Sequence, residues 1–96
     1  MSRWLLSEAA AQDFDELCAF LLARFPDYAV ETIDVVTRAL DVLVAHPLMG
    51  RPMGQGLREL VISRGRSGYL AVYEFDSFTD IATVLAIRHQ RESDYH

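Results

Sequence analysis

The side chains able to handle protons, phosphates or metals are few, and every cationic one apart from histidine is an arginine. The 96-residue chain has nine arginines, no lysine, three histidines and one cysteine. Arginine offers a planar fork suited to carboxylates and phosphates, whereas lysine is a point charge that titrates more readily. Six arginines fall in the second half, at Arg51, Arg58, Arg64, Arg66, Arg88 and Arg91. His46, His89 and His96 show no metal-ligand spacing, so each reads as a solvated or capping residue and no metal is expected. Cys18 lies in an apolar helical stripe and reads as a packed thiol. A single cysteine excludes an internal disulfide and a cysteine metal cluster. Gly54-Gln55-Gly56 lacks the rest of a phosphate loop and is a turn, and no cofactor is implied.

The composition, 51% hydrophobic and 24% charged, is globular, and one domain over residues 1–96 is expected. No apolar run approaches the roughly 18 residues of a membrane span. The stretch Trp4-Leu5-Leu6 is too short for a secretory signal, and a cytoplasmic location is expected. The net charge of −5 is unevenly placed. Residues 1–48 hold eight acids against three arginines, while residues 49–96 hold six of each. Charge runs of this kind are usually solvated faces.

The elements that must position these residues follow from periodicity. Arg3 to Ser7 reads as a short strand ending at a helix cap, with Ser7 accepting from the free N–H groups beyond it. Phe14, Leu17, Cys18, Leu21, Leu22 and Phe25 recur at helical steps, and Pro26 stops that helix. Asp27 is the expected cap of a second helix carrying Ala29, Ile33, Val36, Leu40 and Leu43, which Pro47 and Gly50 end. Two long helices joined by two or three residues must form an antiparallel hairpin. Residues 46–56 form a Pro- and Gly-rich loop. Leu57 to Ser63, Tyr69 to Phe75 and Ile81 to Arg88 are three strands of an antiparallel meander, with turns at 64–68 and 76–80. The helix pair covers one face of the sheet, and the N-terminal strand joins it.

Strand alternation assigns the faces. Ile81, Thr83, Leu85, Ile87 and His89 share one side of the last strand, and Ala82, Val84, Ala86 and Arg88 share the other. Both are apolar through the middle, so this strand is expected inside the sheet, with Arg88 and His89 emerging at its end. Arg58 shares a face with Leu60 and Ile62, so it needs a partner or a bulge. An ion pair with Glu59, Glu74 or Glu92 and a target-contacting role both remain open.

The order of elements, together with five sequence blocks, resembles the ParE/RelE toxin superfamily. The blocks are residues 6–17, His46 to Pro52, Leu57-Arg58-Glu59-Leu60, Gly68 to Tyr73 and Val84 to Glu92. The resemblance spans almost the whole chain and looks closest to the ParE-like branch, known as plasmid stabilisation proteins.

That resemblance implies an α+β fold and a toxin of a type II toxin–antitoxin system. It implies a cognate protein antitoxin that wraps the toxin, and an oligomer formed with it. The ParE-like branch implies inhibition of DNA gyrase. The RelE-like alternative is cleavage of messenger RNA in the ribosome, which needs cations on the phosphate and groups to move protons. For that route Arg58, Arg64, Arg66 and Arg88 would supply charge, and His89 or Tyr95 proton transfer. A net acidic chain without lysine argues against it, because cations dominate phosphate binding. Expected target- or partner-binding residues are Arg58, Arg64, Arg66, Tyr73, Arg88, His89 and Arg91. A protein-binding module without toxicity is the third reading.

Overall fold

The computed structural model describes residues 2–62 and 68–89. Strand β1 (Arg3–Leu6) leads into α1 (Glu8–Arg24) and α2 (Pro26–Ala45). Four strands follow: β2 (Arg51–Gly54), β3 (Leu57–Val61), β4 (Tyr69–Asp76) and β5 (Ile81–His89). The sheet order is β1-β5-β4-β3-β2. β1 runs parallel to β5, and every other pairing is antiparallel.

The start of α1 forms as expected. Ser7 is its N-cap, its hydroxyl accepts from the Ala10 N–H at 3.1 Å, and Glu8 sits in the first turn where the helix dipole favours an anion. The hairpin is tighter than expected. Phe25 alone separates the helices, closing α1 with its N–H on the Leu21 carbonyl and standing as N-cap of α2. Pro26 occupies the first turn of α2, where its missing N–H costs nothing, so Asp27 lies inside that turn and is not the cap.

One core lies between the helices and the sheet. Ala10 of α1 and Val36, Leu40 and Leu43 of α2 meet Leu60, Tyr69, Ala71, Tyr73, Ala82, Val84 and Ile87. Ala29 and Leu21 are also buried, and Phe14 and Leu17 pack against the cluster. Leu22 and Phe25, expected in that stripe, are 58% and 49% exposed. They lie at the hairpin tip, where no described strand covers them.

Two features depart from the sequence expectation. The Pro- and Gly-rich loop contains a strand, β2, so the meander has four strands rather than three. Its hairpin turns through Gly54, Gln55 and Gly56, all at positive φ. Pro52 and a bulge blunt this outer strand against further pairing. The second departure is in β5. Val72 pairs with Ala86 but Tyr73 pairs with Val84, so Leu85 is an extra residue. A bulge of this kind reverses the side-chain phase beyond it. Ile87 and His89 therefore join Ala82 and Val84 on the helix-covered face, while Ala86 and Arg88 pass to the other, contrary to simple alternation.

Helix α1 meets β5 where β1 has run out. The Ser7 N–H donates to the Val84 carbonyl at 2.8 Å. The Asp13 carboxylate accepts from the Ile87 N–H at 3.0 Å, so a helix side chain replaces the missing strand neighbour.

Candidate functional site

The expected site residues separate into two ends of the sheet. Arg58 pairs with Tyr73 across β3 and β4, whereas Arg88 pairs with Leu70 and His89 with Tyr69. Three steps along β4, from Leu70 to Tyr73, separate the Arg88 and Arg58 positions, about 10 Å along a strand. They also leave the sheet on opposite faces. Arg64, Arg66, Arg91 and Tyr95 lie outside the described residues.

At the first end, Arg58 and Tyr73 hold the loop that follows α2. Arg58 Nη1 donates to the carbonyls of Leu48 at 3.1 Å and Gly50 at 2.8 Å. The Tyr73 hydroxyl donates to the Pro47 carbonyl and accepts from the Gly50 N–H, each at 2.8 Å. Tyr73 is fully buried, so its expected contact with a target is corrected to a structural role. Arg58 finds its partners in carbonyl oxygens. The ion pair expected around it is made instead by Arg51, whose Nη2 lies 2.6 Å from Glu59 Oε1. Gly50 is required here, because a Cβ at this position would stand 2.6 Å from Tyr73 Cε1.

At the second end lies an open groove between α1 and the ends of β4 and β5. It is lined by Asp13, Glu16, Leu17, Phe20, Tyr69, Ile87, Arg88 and His89 and encloses about 310 Å³. The Tyr69 and His89 rings meet edge to face, 5.3 Å between centroids. Burial raises the Tyr69 phenol above its ordinary value, so it stays protonated near neutral pH and can donate but not act as a base. Arg88 is exposed beside it. The bulge sets this arrangement by turning His89 toward the helices and Arg88 away. Periodicity alone could not locate the bulge, because Val84, Leu85, Ala86 and Ile87 are all apolar.

Cys18 is a free thiol, half-buried on α1. Burial, with Asp15 nearby, holds its thiol above the ordinary range and keeps it protonated. His46 closes α2, its backbone N–H on the Val42 carbonyl. Among the described residues no group of histidine, cysteine and acid side chains could hold a metal. None of the described helices is long and apolar enough to cross a membrane.

Comparison with known proteins agrees with this architecture. The family model described as the ParE toxin of type II toxin–antitoxin system, parDE, matches residues 5–94. Toxin RelE3 of Caulobacter vibrioides is 33% identical over 87 residues, covering 91% of this chain and 92% of the relative. Toxin RelE1 of the same organism is 36% identical over 69 residues, covering 72% and 74%. A chain of the chromosomal ParDE system from P. aeruginosa superposes with a TM-score of 0.71 at 22% identity, covering 93% of this chain and 95% of that one. A chain of the E. coli RelBE toxin–antitoxin complex superposes at 0.69 with 13% identity, covering 93% and 96%. These two structures share the fold. With the family match over nearly the whole chain and the sequence relatives beside it, the chain belongs to the ParE toxin family of type II toxin–antitoxin systems, within the ParE/RelE superfamily.

Proposed function

We propose that this toxin acts by inhibiting DNA gyrase rather than by cutting RNA, and that a cognate protein antitoxin neutralises it. The observation that carries the first part is the division of the candidate cations. Phosphoryl transfer needs charges converging on one phosphate with a proton-transfer group beside them. Arg58 is committed to two loop carbonyls and stands on the other face from Arg88. Among the described residues Arg88 and His89 remain at the open end, with Asp13 and Glu16 lining the same groove. A net charge of −5 adds a general penalty against binding RNA. The antitoxin is supported by the solved structures of like fold, which come from toxin–antitoxin systems.

Inducible expression without the antitoxin tests the reading. The expected result is growth arrest with a DNA-damage response, together with loss of supercoiling by purified gyrase when the protein is added. Fragmented messenger RNA, abolished by Arg88→Ala or His89→Ala, would replace this reading with the RelE-type one. The RelE names of the two sequence relatives favour that second reading. Growth unaffected by expression would leave a non-toxic protein-binding module.

A further inference from the structure

We propose that the turn between α2 and β2, residues 46–50, is where this toxin seats on its protein target, with Leu48 and Met49 as anchors entering an apolar pocket rimmed by carboxylates. The inference rests on the reading that the target is DNA gyrase, and adds which surface of the toxin makes the contact and what chemistry it meets.

The backbone of this turn is held by the rest of the fold. Pro47 sets the second position of a tight turn, which the Met49 N–H closes on the His46 carbonyl at 3.1 Å. The Tyr73 hydroxyl takes the Pro47 carbonyl, Arg58 takes those of Leu48 and Gly50, and the Gly50 N–H donates to Tyr73. A fully buried tyrosine and a glycine with no room for a methyl group are thus committed to fixing it. Its side chains do the reverse. Leu48 is 58% exposed and Met49 59%, and Leu48 stands at a turn position where glycine and short polar residues are usual. Met53, on the edge strand that follows, is exposed as well. Single apolar residues on a surface need no explanation, but here two adjacent large ones are turned outward by a backbone that is fully tied down. A loop fixed in this way binds a partner without the cost of being ordered first, and methionine adapts its shape to the surface it meets.

The charge beside the turn selects the occupant. Residues 46–56 hold Arg51 and no acid, whereas residues 1–45 hold eight acids. Arg51 follows Gly50 directly, and its side chain is 76% exposed while its partner Glu59 is largely covered. The charge that this edge shows to a partner is therefore a guanidinium next to two apolar side chains. One arginine among apolar groups does not hold a nucleic acid, whose binding draws on many cations. A protein pocket that is apolar inside and carries carboxylates at its rim satisfies both features, and the rim charge fixes the direction of approach.

The test titrates the full chain against purified DNA gyrase supercoiling a relaxed plasmid, at two salt concentrations. The double variant Leu48→Ser, Met49→Ser is expected to raise the half-inhibitory concentration at least about tenfold, as for anchoring side chains at an interface. Arg51→Gln is expected to raise it less, by a factor that shrinks at the higher salt. Val30→Ser, at an exposed position on α2 away from the turn, is expected to inhibit like wild type. Unchanged thermal melts of the variants separate binding from folding. Affinity for the antitoxin is expected to be the same for wild type and the double variant, and a matching loss there would assign the turn to the antitoxin and overturn the proposal. If wild type and the double variant inhibit alike, the contact surface is wrong while the gyrase reading stands. If wild type does not inhibit gyrase at all, the gyrase reading falls and this inference falls with it.

Discussion

Two ends of one sheet carry similar side chains and do opposite things. At the loop end, Arg58 and Tyr73 spend every described polar contact on the backbone of residues 47–50. At the groove end, the Tyr69–His89 pair lines a groove of about 310 Å³, and Arg88 stands exposed at its edge on the other face of the sheet. Residue type therefore does not separate a scaffold arginine from an exposed one. What separates them is whether the protein's own carbonyls already satisfy the guanidinium.

The sharpest way to break the comparison is at Gly50. Gly50→Ala places a methyl group 2.6 Å from the ring of a fully buried tyrosine. The expected loss is about 3 kcal/mol, at the upper end for overpacking, read as a lower urea midpoint with unchanged slope. Next in size is the contrast between the arginines. Arg58→Ala leaves the Leu48 and Gly50 carbonyls without their donor and is expected to cost about 2 kcal/mol. Arg88→Ala is expected to stay within about 0.5 kcal/mol and to change toxicity instead. Equal stability losses in the two variants would erase the distinction between the ends.

A smaller effect is expected where α1 substitutes for a strand. Asp13→Ala removes the acceptor of the part-buried Ile87 N–H and is expected to cost about 1 kcal/mol. Amide exchange at Ile87 should then accelerate while exchange at Val72 does not. Uniform acceleration through β4 and β5 would show that Asp13 supports the whole sheet rather than its end.

Much of this architecture was legible in the sequence. The helical stripes, the Ser7 cap and the interior position of β5 follow from periodicity and capping chemistry. Three features were not legible, each for a physical reason. The β5 bulge sits in the run Val84-Leu85-Ala86-Ile87, where no polar residue marks the change of phase. Strand β2 holds Pro52 and Gly54, both poor strand formers, and pairs along only one side. The fate of Arg58 depends on where the 47–50 carbonyls fold back, and sequence carries no signal for a backbone acceptor. The grouping of the candidate residues was not legible, since Arg58 and Arg88 leave the sheet on opposite faces, three steps apart along β4.

The mildest prediction concerns alkaline pH and rests on Tyr69 in the groove and on the half-buried Cys18 of α1. Burial raises the folded-state values of Cys18 and Tyr69 above their ordinary 9.0 and 10.0. Each group is neutral when protonated, so the unfolded chain releases its proton first as pH rises. The stability they contribute is complete below the unfolded values and is lost as pH climbs through the folded ones. The chain has no lysine, and the comparison with a variant lacking both groups separates them from the other three tyrosines. The urea midpoint is expected to hold steady near neutral pH and to fall above pH 9, measured against a Cys18→Ser, Tyr69→Phe double variant. The variant should lose part of that alkaline decline while keeping its dependence at neutral pH. An unchanged decline would show that the burial of these two groups contributes nothing to the alkaline limb.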